Sequence, residues 1–127
     1  ITLPLSVSGQ EKLNDNLNLR ELLTWVGLKG RSGALPPELS GGERQRAALA
    51  RAVINSPKII LADEPTGNVD WEMSQRLLQL LIELNKMGKI VLMATHDLSL
   101  IRLAKSHIQA RVLRIANKRI QLSGADL

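Results

Sequence analysis

Three short groups of residues have the types and order that phosphate chemistry needs. In the first, Ser40, Gly41 and Gly42 open a helical pattern, with Glu43 three residues after the serine. Two glycines leave bare N–H groups at the positive end of a helix, and the serine hydroxyl adds a further donor, which suits a phosphate. The same residues also form a simple capping box that satisfies the helix amides. Both interpretations stand on sequence grounds.

The second group is a pair of adjacent acids after an apolar run. Four aliphatic residues, 59–62, lead directly into Asp63 and Glu64. Like charges at a strand end repel each other unless a cation or a reactant lies nearby. The pattern is typical of phosphoryl transfer, in which Asp63 holds Mg²⁺ through water and Glu64 orients and deprotonates the attacking water. The alternative is an exposed turn that ends at Pro65.

The third group is Thr95, His96 and Asp97, which follow a second apolar run. A histidine at the end of a strand is by itself more typical of an ordinary loop residue than of a catalyst. If the two strands are neighbours, however, His96 lies beside Glu64. It could then donate a hydrogen bond to a γ-phosphate and hold the carboxylate and its water in register.

The elements that must position these groups follow from hydrophobic periodicity. Apolar runs within residues 58–63 and 90–94 predict two strands of a parallel sheet, buried on both faces. Residues 71–87 carry leucine and methionine at helical spacing and end at Gly88, which predicts a crossover helix. Strand, helix and strand form a βαβ unit with parallel strands, and its ligand chemistry lies at the carboxyl ends of those strands. The acids and the histidine fall at that edge.

Turn residues mark the remaining elements. The pattern predicts a helix over residues 10–26 that ends at Gly27, a loop over 29–37, a helix over 44–55 capped by Ser40, and a terminal hairpin over 108–122 around Asn117 and Lys118. The chain is therefore expected to have an α/β fold.

Composition excludes several classes of protein. The chain has 127 residues, a net charge of +5 and no cysteine, so disulfides and cysteine-bound metals are excluded. Residues 98–125 contain cations and no acid, which favours a solvated face, with an anionic partner as the alternative. With two tryptophans and no Phe or Tyr there is no stacking platform for single strands, so no nucleic-acid partner is expected. No apolar run reaches the ~18 residues of a membrane span.

The motifs, taken in order, resemble those of the ATP-binding cassette (ABC) family of ATPases. The resemblance rests on residues 39–43, 45–46, 50–52, 61–70 and 94–97. It implies that Ser40, Gly41 and Gly42 belong to the signature motif, which contacts the γ-phosphate of ATP in trans. It further implies that Asp63 and Glu64 end the Walker B strand, that Asp70 lies in the D-loop at a dimer interface, and that His96 is the switch. In this family two subunits enclose two ATP molecules with Mg²⁺.

Within the family, residues 64–70 and 91–101 most resemble the branch that serves cell division. The resemblance implies a homodimer coupled to an integral membrane partner, with the ATPase peripheral on the cytoplasmic face of the inner membrane. ATPases of lipoprotein-releasing or macrolide exporters are the sibling alternative. A DNA-repair or chromosome-structure ATPase head shares the signature and the Walker B strand and is a further alternative.

One family motif has no counterpart in the chain. A P-loop requires Gly, four residues and then Gly-Lys-Ser/Thr, and no segment matches this pattern. The resemblance therefore implies a carboxyl-terminal portion of a cassette, about half an ATPase and inactive alone, with a strand edge left unpaired. Residues 1–55 are expected to be the latter part of the helical subdomain and residues 56–127 the carboxyl-terminal part of a RecA-like P-loop core. A natural subunit without a P-loop, lending its signature motif in trans, is the alternative.

Overall fold

The computed structural model describes residues 19–122, which form four α-helices and four strands. In chain order these are α1 (Leu19–Trp25), a short 3-10 turn (Pro36–Glu38), α2 (Gly41–Val53), β1 (Ile59–Asp63), α3 (Trp71–Lys86), β2 (Ile90–Ala94), α4 (Leu98–His107), β3 (Leu113–Ala116) and β4 (Arg119–Leu122). Within this part of the chain no helix is long and apolar enough to cross a membrane. The first part of the predicted helix over residues 10–26 lies outside the described residues.

The centre of the fold is a parallel pair of strands joined by a crossover helix. β1 and β2 pair in parallel from Ile59↔Ile90 to Asp63↔Ala94, and α3 connects them. The predicted βαβ unit is thereby confirmed. Because both strands run in the same direction and end in register, the residues that follow Asp63 and Ala94 emerge at one edge of the sheet.

The prediction that both strands are buried on both faces was wrong for this chain. Ile60 and Ala62 are buried, whereas Ile59 and Leu61 are 58% and 73% exposed. On β2, Leu92 is likewise 56% exposed. The physical reason is that the described helices cover one face of the pair, so alternate residues of the apolar runs face outward.

The covered face belongs to one apolar core. Its fully buried members come from α1, α2 and α3 and the turn after α1, with Leu22, Val26, Leu28, Val53, Leu77 and Leu80 each at most 1% exposed. A second cluster joins α3 to α4 through Leu78, Ile82, Leu100 and Ala104. The core therefore fixes α2, which Ser40 begins, relative to the strand that ends in the acids.

The predicted elements are present, although α2 begins at Gly41 and not at residue 44, and the hairpin strands begin at Leu113 and not at residue 108. Ser40 caps α2 as predicted. α3 ends before Gly88, whose φ of +88° suits a residue without a side chain. The terminal hairpin is also present: β3 and β4 pair antiparallel, and Asn117 and Lys118 adopt φ of +49° and +59°, the values of a tight two-residue turn.

Helix α4 was not predicted. On sequence grounds Asp97 is assigned only to the group that contains His96, but Asp97 is the N-cap of this helix: its carboxylate accepts hydrogen bonds from the N–H groups of Ser99 and Leu100. The signal was present in the sequence as an Asp followed by Leu98, Leu100 and Ile101. Asp97 therefore both ends the group that contains His96 and begins a helix.

The outward apolar face of β1 and β2 should make the 127-residue chain associate with itself. Burial of each leucine on this face would contribute about 1.5–3 kcal/mol. We expect Leu61→Lys with Leu92→Lys to reduce the mean mass in light scattering to that of a monomer. Leu35→Lys is the matched control, because Leu35 is also 64% exposed but belongs to neither strand. A parent chain that stays at 14.0 kDa at all concentrations would contradict this prediction.

Candidate functional site

Glu64 and His96 meet at the carboxyl edge of the parallel pair, as the sequence predicts. The ladder extends one residue beyond β1, because the Glu64 N–H donates to the Ala94 carbonyl at 2.9 Å. Glu64 then turns sharply, with a φ of +43°. This left-handed conformation is uncommon for a residue with a side chain and must be held by its surroundings. It brings the Glu64 side chain to the residues that follow β2.

Both carboxylate oxygens of Glu64 accept hydrogen bonds. Oε1 lies 2.7 Å from Nδ1 of His96 and also accepts the His96 backbone N–H at 3.1 Å. Oε2 accepts the hydroxyl of Thr95 at 3.2 Å. The Thr95 oxygen in turn accepts the N–H of Asp97 at 3.1 Å. The carboxylate is therefore oriented by three donors, all from the segment after β2.

These contacts change the proton affinities of the pair. The hydrogen bond from the His96 side chain lowers the pKa of the Glu64 carboxyl below its ordinary 4.5, against an opposing contribution from burial. The same hydrogen bond, and then the charge of the carboxylate, raise the pKa of the His96 imidazole above its ordinary 6.5. Glu64 is thus kept ionised, the form that can accept a proton from water. The His96 side chain is 90% exposed, so its second ring nitrogen is open to an incoming ligand.

Asp63 lies apart from this network. It is the last residue of β1 and belongs to the exposed face of the strand. Among residues 19–122 no three acids or histidines are grouped closely enough to hold a metal ion by themselves. Mg²⁺ is usually bound through one or two carboxylates together with waters and substrate phosphates, so a single exposed carboxylate fits one ligand of such a site.

The predicted capping box is present at the start of α2. Ser40 Oγ accepts the Glu43 N–H at 3.2 Å, and the Glu43 carboxylate accepts the Ser40 N–H at 2.8 Å. Arg31 donates to the other Glu43 oxygen at 3.1 Å. The bond from the Ser40 backbone, and then Arg31, lower the pKa of Glu43. The box leaves the N–H groups of Gly41 and Gly42 without a hydrogen bond in the described part of the chain, so the capping and anion-binding interpretations are compatible.

The first turn of α2 packs against the loop that follows Glu64. A Cβ atom at Gly42 would lie only 3.0 Å from the backbone oxygen of Asn68. Further along α2, the side-chain amide of Gln45 donates to the backbone carbonyl of Glu64 at 2.9 Å. The two predicted groups, at Ser40 and at Glu64, are therefore joined by direct contacts.

Asp70 closes this loop and begins α3. Its carboxylate accepts the Met73 N–H at 2.8 Å, and its carbonyl accepts the Ser74 hydroxyl at 3.0 Å. The residue is exposed at the end of the loop. In the described structure Asp70 acts as a helix cap. Because it is also exposed, it is accessible to a second subunit.

Sequence reasoning assigned no role to three side chains of the site: Arg31, Gln45 and Thr95. Gln45 lies three residues after Gly42, so the two share one face of α2, and this spacing is a usable signal. Thr95 precedes His96 directly and could have been recognised as a hydroxyl beside a predicted base. Arg31 lies in a loop 12 residues before its partner, and no local pattern predicts that contact.

The chain is similar to proteins of one known family. The family model described as ABC transporter matches residues 4–67. Three curated relatives are each described as cell division ATP-binding protein FtsE. That of Haemophilus influenzae is 44% identical over 102 residues, 80% of this chain and 47% of the relative. That of Streptococcus pneumoniae is 41% identical over 120 residues, which are 94% of this chain and 50% of the relative. That of Mycobacterium tuberculosis is 50% identical over 97 residues, which are 76% of this chain and 42% of the relative. The chain thus spans about half the length of these relatives.

Two solved structures share the fold. The dimeric structure of MJ0796, described as a bacterial ABC transporter cassette, is 36% identical with a TM-score of 0.65, over 78% of this chain and 46% of the other. A dimeric post-hydrolysis state of the same cassette, bound to ADP and phosphate, is 35% identical with a TM-score of 0.64, over 79% and 46%. The α/β class with parallel strands that the sequence predicts is confirmed.

The contact between Glu64 and His96 can be tested by pH titration. Glu64→Gln should lower the pKa of His96 towards 6.5, because the charged acceptor is removed. The raised pKa of His96 contributes stability that is present at low pH and is lost as the pH rises. The lowered pKa of Glu64 contributes stability that is present at high pH and is lost as the pH falls. The difference in free energy of unfolding between parent and variant should therefore be largest between pH 4.5 and 6.5.

The measurements are an NMR titration of the imidazole signals and denaturant unfolding across pH. Glu83→Gln is the matched control, since Glu83 pairs with Lys86 on α3 and does not contact His96. If the His96 titration is the same in the parent and in Glu64→Gln, the carboxylate does not hold the imidazole.

Proposed function

Because the chain belongs to the ABC transporter family, we propose that it is part of an ATP-hydrolysing cassette whose catalytic groups lie at the carboxyl edge of β1 and β2. The observation that carries this proposal is the 2.7 Å contact between Glu64 and His96 at the end of a parallel βαβ unit. It supplies an ionised base and an exposed donor at one edge, which is what hydrolysis of a phosphoanhydride requires.

The roles of the two residues follow from their contacts. Glu64 orients a water and accepts its proton as the water oxygen bonds to the γ-phosphorus. The bond from the γ-phosphorus to its bridging oxygen breaks, and ADP and phosphate leave. His96 in its imidazolium form, which the raised pKa of the ring favours, donates from its exposed nitrogen to the γ-phosphate, while its Nδ1 donates to the carboxylate and keeps it in place. Asp63 would hold Mg²⁺ through a water, and Mg²⁺ when bound neutralises phosphate charge.

The signature turn is proposed to act on the ATP of a second subunit. Ser40 offers a hydroxyl, and Gly41 and Gly42 offer two N–H groups that have no hydrogen bond within residues 19–122, all at the positive end of a 13-residue helix. We propose a homodimer in which these donors face the γ-phosphate held by the other subunit, with Asp70 in the contact between subunits. The dimeric cassettes that this chain resembles support the arrangement.

The chain is proposed to be the carboxyl-terminal portion of such a cassette. In support, its motifs run in the order signature, Walker B, D-loop and switch, and it spans about half of each curated relative. Residues 1–55 would belong to the helical subdomain and residues 56–127 to the RecA-like core. Because α1, α2 and α3 share one buried cluster, the proposed boundary at residues 55 and 56 crosses a common core.

The biological role is proposed from the relatives. Three of them are described as cell division ATP-binding proteins, which supports an ATPase of cell division coupled to an integral membrane partner at the cytoplasmic face of the inner membrane. An exporter ATPase is the second candidate, since the similar solved structures are described as a transporter cassette. Co-purification of the whole protein with a membrane protein, and identification of that protein, separates the two.

Catalysis by Glu64 and His96 predicts a specific kinetic pattern. In the whole protein Glu64→Gln should lower turnover by about 10²-fold to 10⁴-fold, the usual contribution of a positioned general base. His96→Ala should also lower turnover, with nucleotide affinity unchanged. Phosphate release and equilibrium nucleotide binding are the measurements.

The 127 residues alone serve as the negative control for this assay. Phosphoryl transfer depends mainly on positioning and charge stabilisation, and the chain carries no P-loop pattern to hold the phosphates, so no release above background is expected. Turnover of Glu64→Gln within threefold of the parent would remove Glu64 from its proposed role.

The signature turn predicts a separate effect on assembly. Ser40→Arg should block ATP-driven dimerisation and leave nucleotide binding by the monomer intact, because a bulky cation would occupy the position of the facing phosphate. Size-exclusion chromatography with ATP, in a Glu64→Gln background, measures the dimer. Ser32→Arg is the matched control, since Ser32 is exposed in the preceding loop. An unchanged yield of dimer in Ser40→Arg would contradict the proposal.

A further inference from the structure

We infer that Gln45 is a positioning residue: it holds the backbone of Glu64 in place and so links the signature turn of α2 to the catalytic carboxylate of the same subunit. The inference rests on the proposed function. It concerns a side chain that touches neither the nucleotide nor the water, and acts through Glu64.

The contact is directed at the strained point of the site. Gln45 Nε2 donates to the Glu64 carbonyl at 2.9 Å, although the two residues are 19 positions apart. The same carbonyl accepts the Gly67 N–H at 3.1 Å, and the Glu64 N–H is bonded to Ala94. Glu64, with its φ of +43°, is thus held on both sides of its α-carbon. Gln45 is the one side chain in the described residues that bonds to the carbonyl.

Chemistry also favours a role for the Gln45 N–H rather than for its bulk. Its Oε1 is buried without a hydrogen bond among the described residues. A buried oxygen without a donor is unfavourable. A methionine would fill similar space without that penalty, so the favourable part of the Gln45 side chain is the amide N–H that reaches Glu64.

A second contact on the same face of α2 further restrains the helix relative to the loop after β1. Gly42 lies three residues before Gln45 and approaches the carbonyl of Asn68 so closely that an added Cβ would lie at 3.0 Å. The first turns of α2 therefore touch the loop after β1 at its start, through Gln45, and near its end, through Gly42. A displacement of α2 cannot occur without moving this loop.

The consequence concerns two nucleotide sites. In the proposed dimer, Ser40, Gly41 and Gly42 contact the ATP held by the other subunit, whereas Glu64 acts on the ATP of its own subunit. The Gln45 bond then connects the two within one chain. Contact of the signature turn with the ATP held by the other subunit would set the orientation of Glu64, which acts on the ATP of its own subunit.

Gln45→Met tests the contact in the 127-residue chain. Loss of one hydrogen bond should speed amide hydrogen exchange at Glu64 and Gly67 by about 2-fold to 10-fold, as expected from the net strength of such a bond. Mass spectrometry of peptides covering residues 61–68 measures this rate, with residues 77–84 of the core as the internal reference. Gln79→Met is the matched control, because Gln79 also donates one amide bond, to Glu83 on α3. Unchanged exchange over 61–68, or equal acceleration over 77–84, would overturn the inference.

Kinetics of the whole protein test the link between sites. Gln45→Met should lower kcat by between about 10-fold and 100-fold, the range for a misplaced catalytic group, with KM for ATP within twofold of the parent. The Hill coefficient for ATP should also fall towards 1, whereas Gln79→Met should leave kcat and the Hill coefficient unchanged. An unchanged kcat in Gln45→Met would overturn the inference. If the parent itself hydrolyses no ATP, the proposed function and the link between sites both fail, and the exchange experiment still decides whether Gln45 holds Glu64.

Discussion

The pairing of Asp63 with Ala94 at the end of the parallel ladder is the constraint on which the site depends. Parallel strands place their carboxyl ends at one edge, and the bond from the Glu64 N–H to the Ala94 carbonyl carries the register one step further. Residues 32 positions apart are thereby brought to 2.7 Å. If one strand shifted by one residue relative to the other, its side chains would point to the opposite faces of the sheet and Glu64 would be separated from His96.

The helices secure this register from one side. α3 connects the strands and shares one buried cluster with Ile60 and Ala62, and α1 and α2 join the same cluster. Because the core of α2 is shared with β1, the N-terminal turn of α2 has a defined place beside the loop after Glu64. The arrangement places the Glu64 carboxylate and the partly exposed first turn of α2 on the same side of one chain's core.

The other side of the sheet and the terminal hairpin remain exposed in the described residues. Leu61 and Leu92 on the sheet, and Ile115 and Ile120 on the hairpin, are between 56% and 76% exposed. Apolar side chains at such exposure are typical of surfaces that pack against something else. This agrees with the finding that the chain spans about half the length of its curated relatives.

The sequence by itself determined the local elements and the edge of the sheet at which Glu64 and His96 lie. Caps, glycines and hydrophobic period predicted α2, α3, both strands and the hairpin, because those signals act over a few residues. Tertiary structure alone decided the φ of Glu64, the bond from Gln45 to its carbonyl and the single covered face of the sheet. These features depend on which distant segments pack together, and an apolar run has the same pattern whether one of its faces is covered or both.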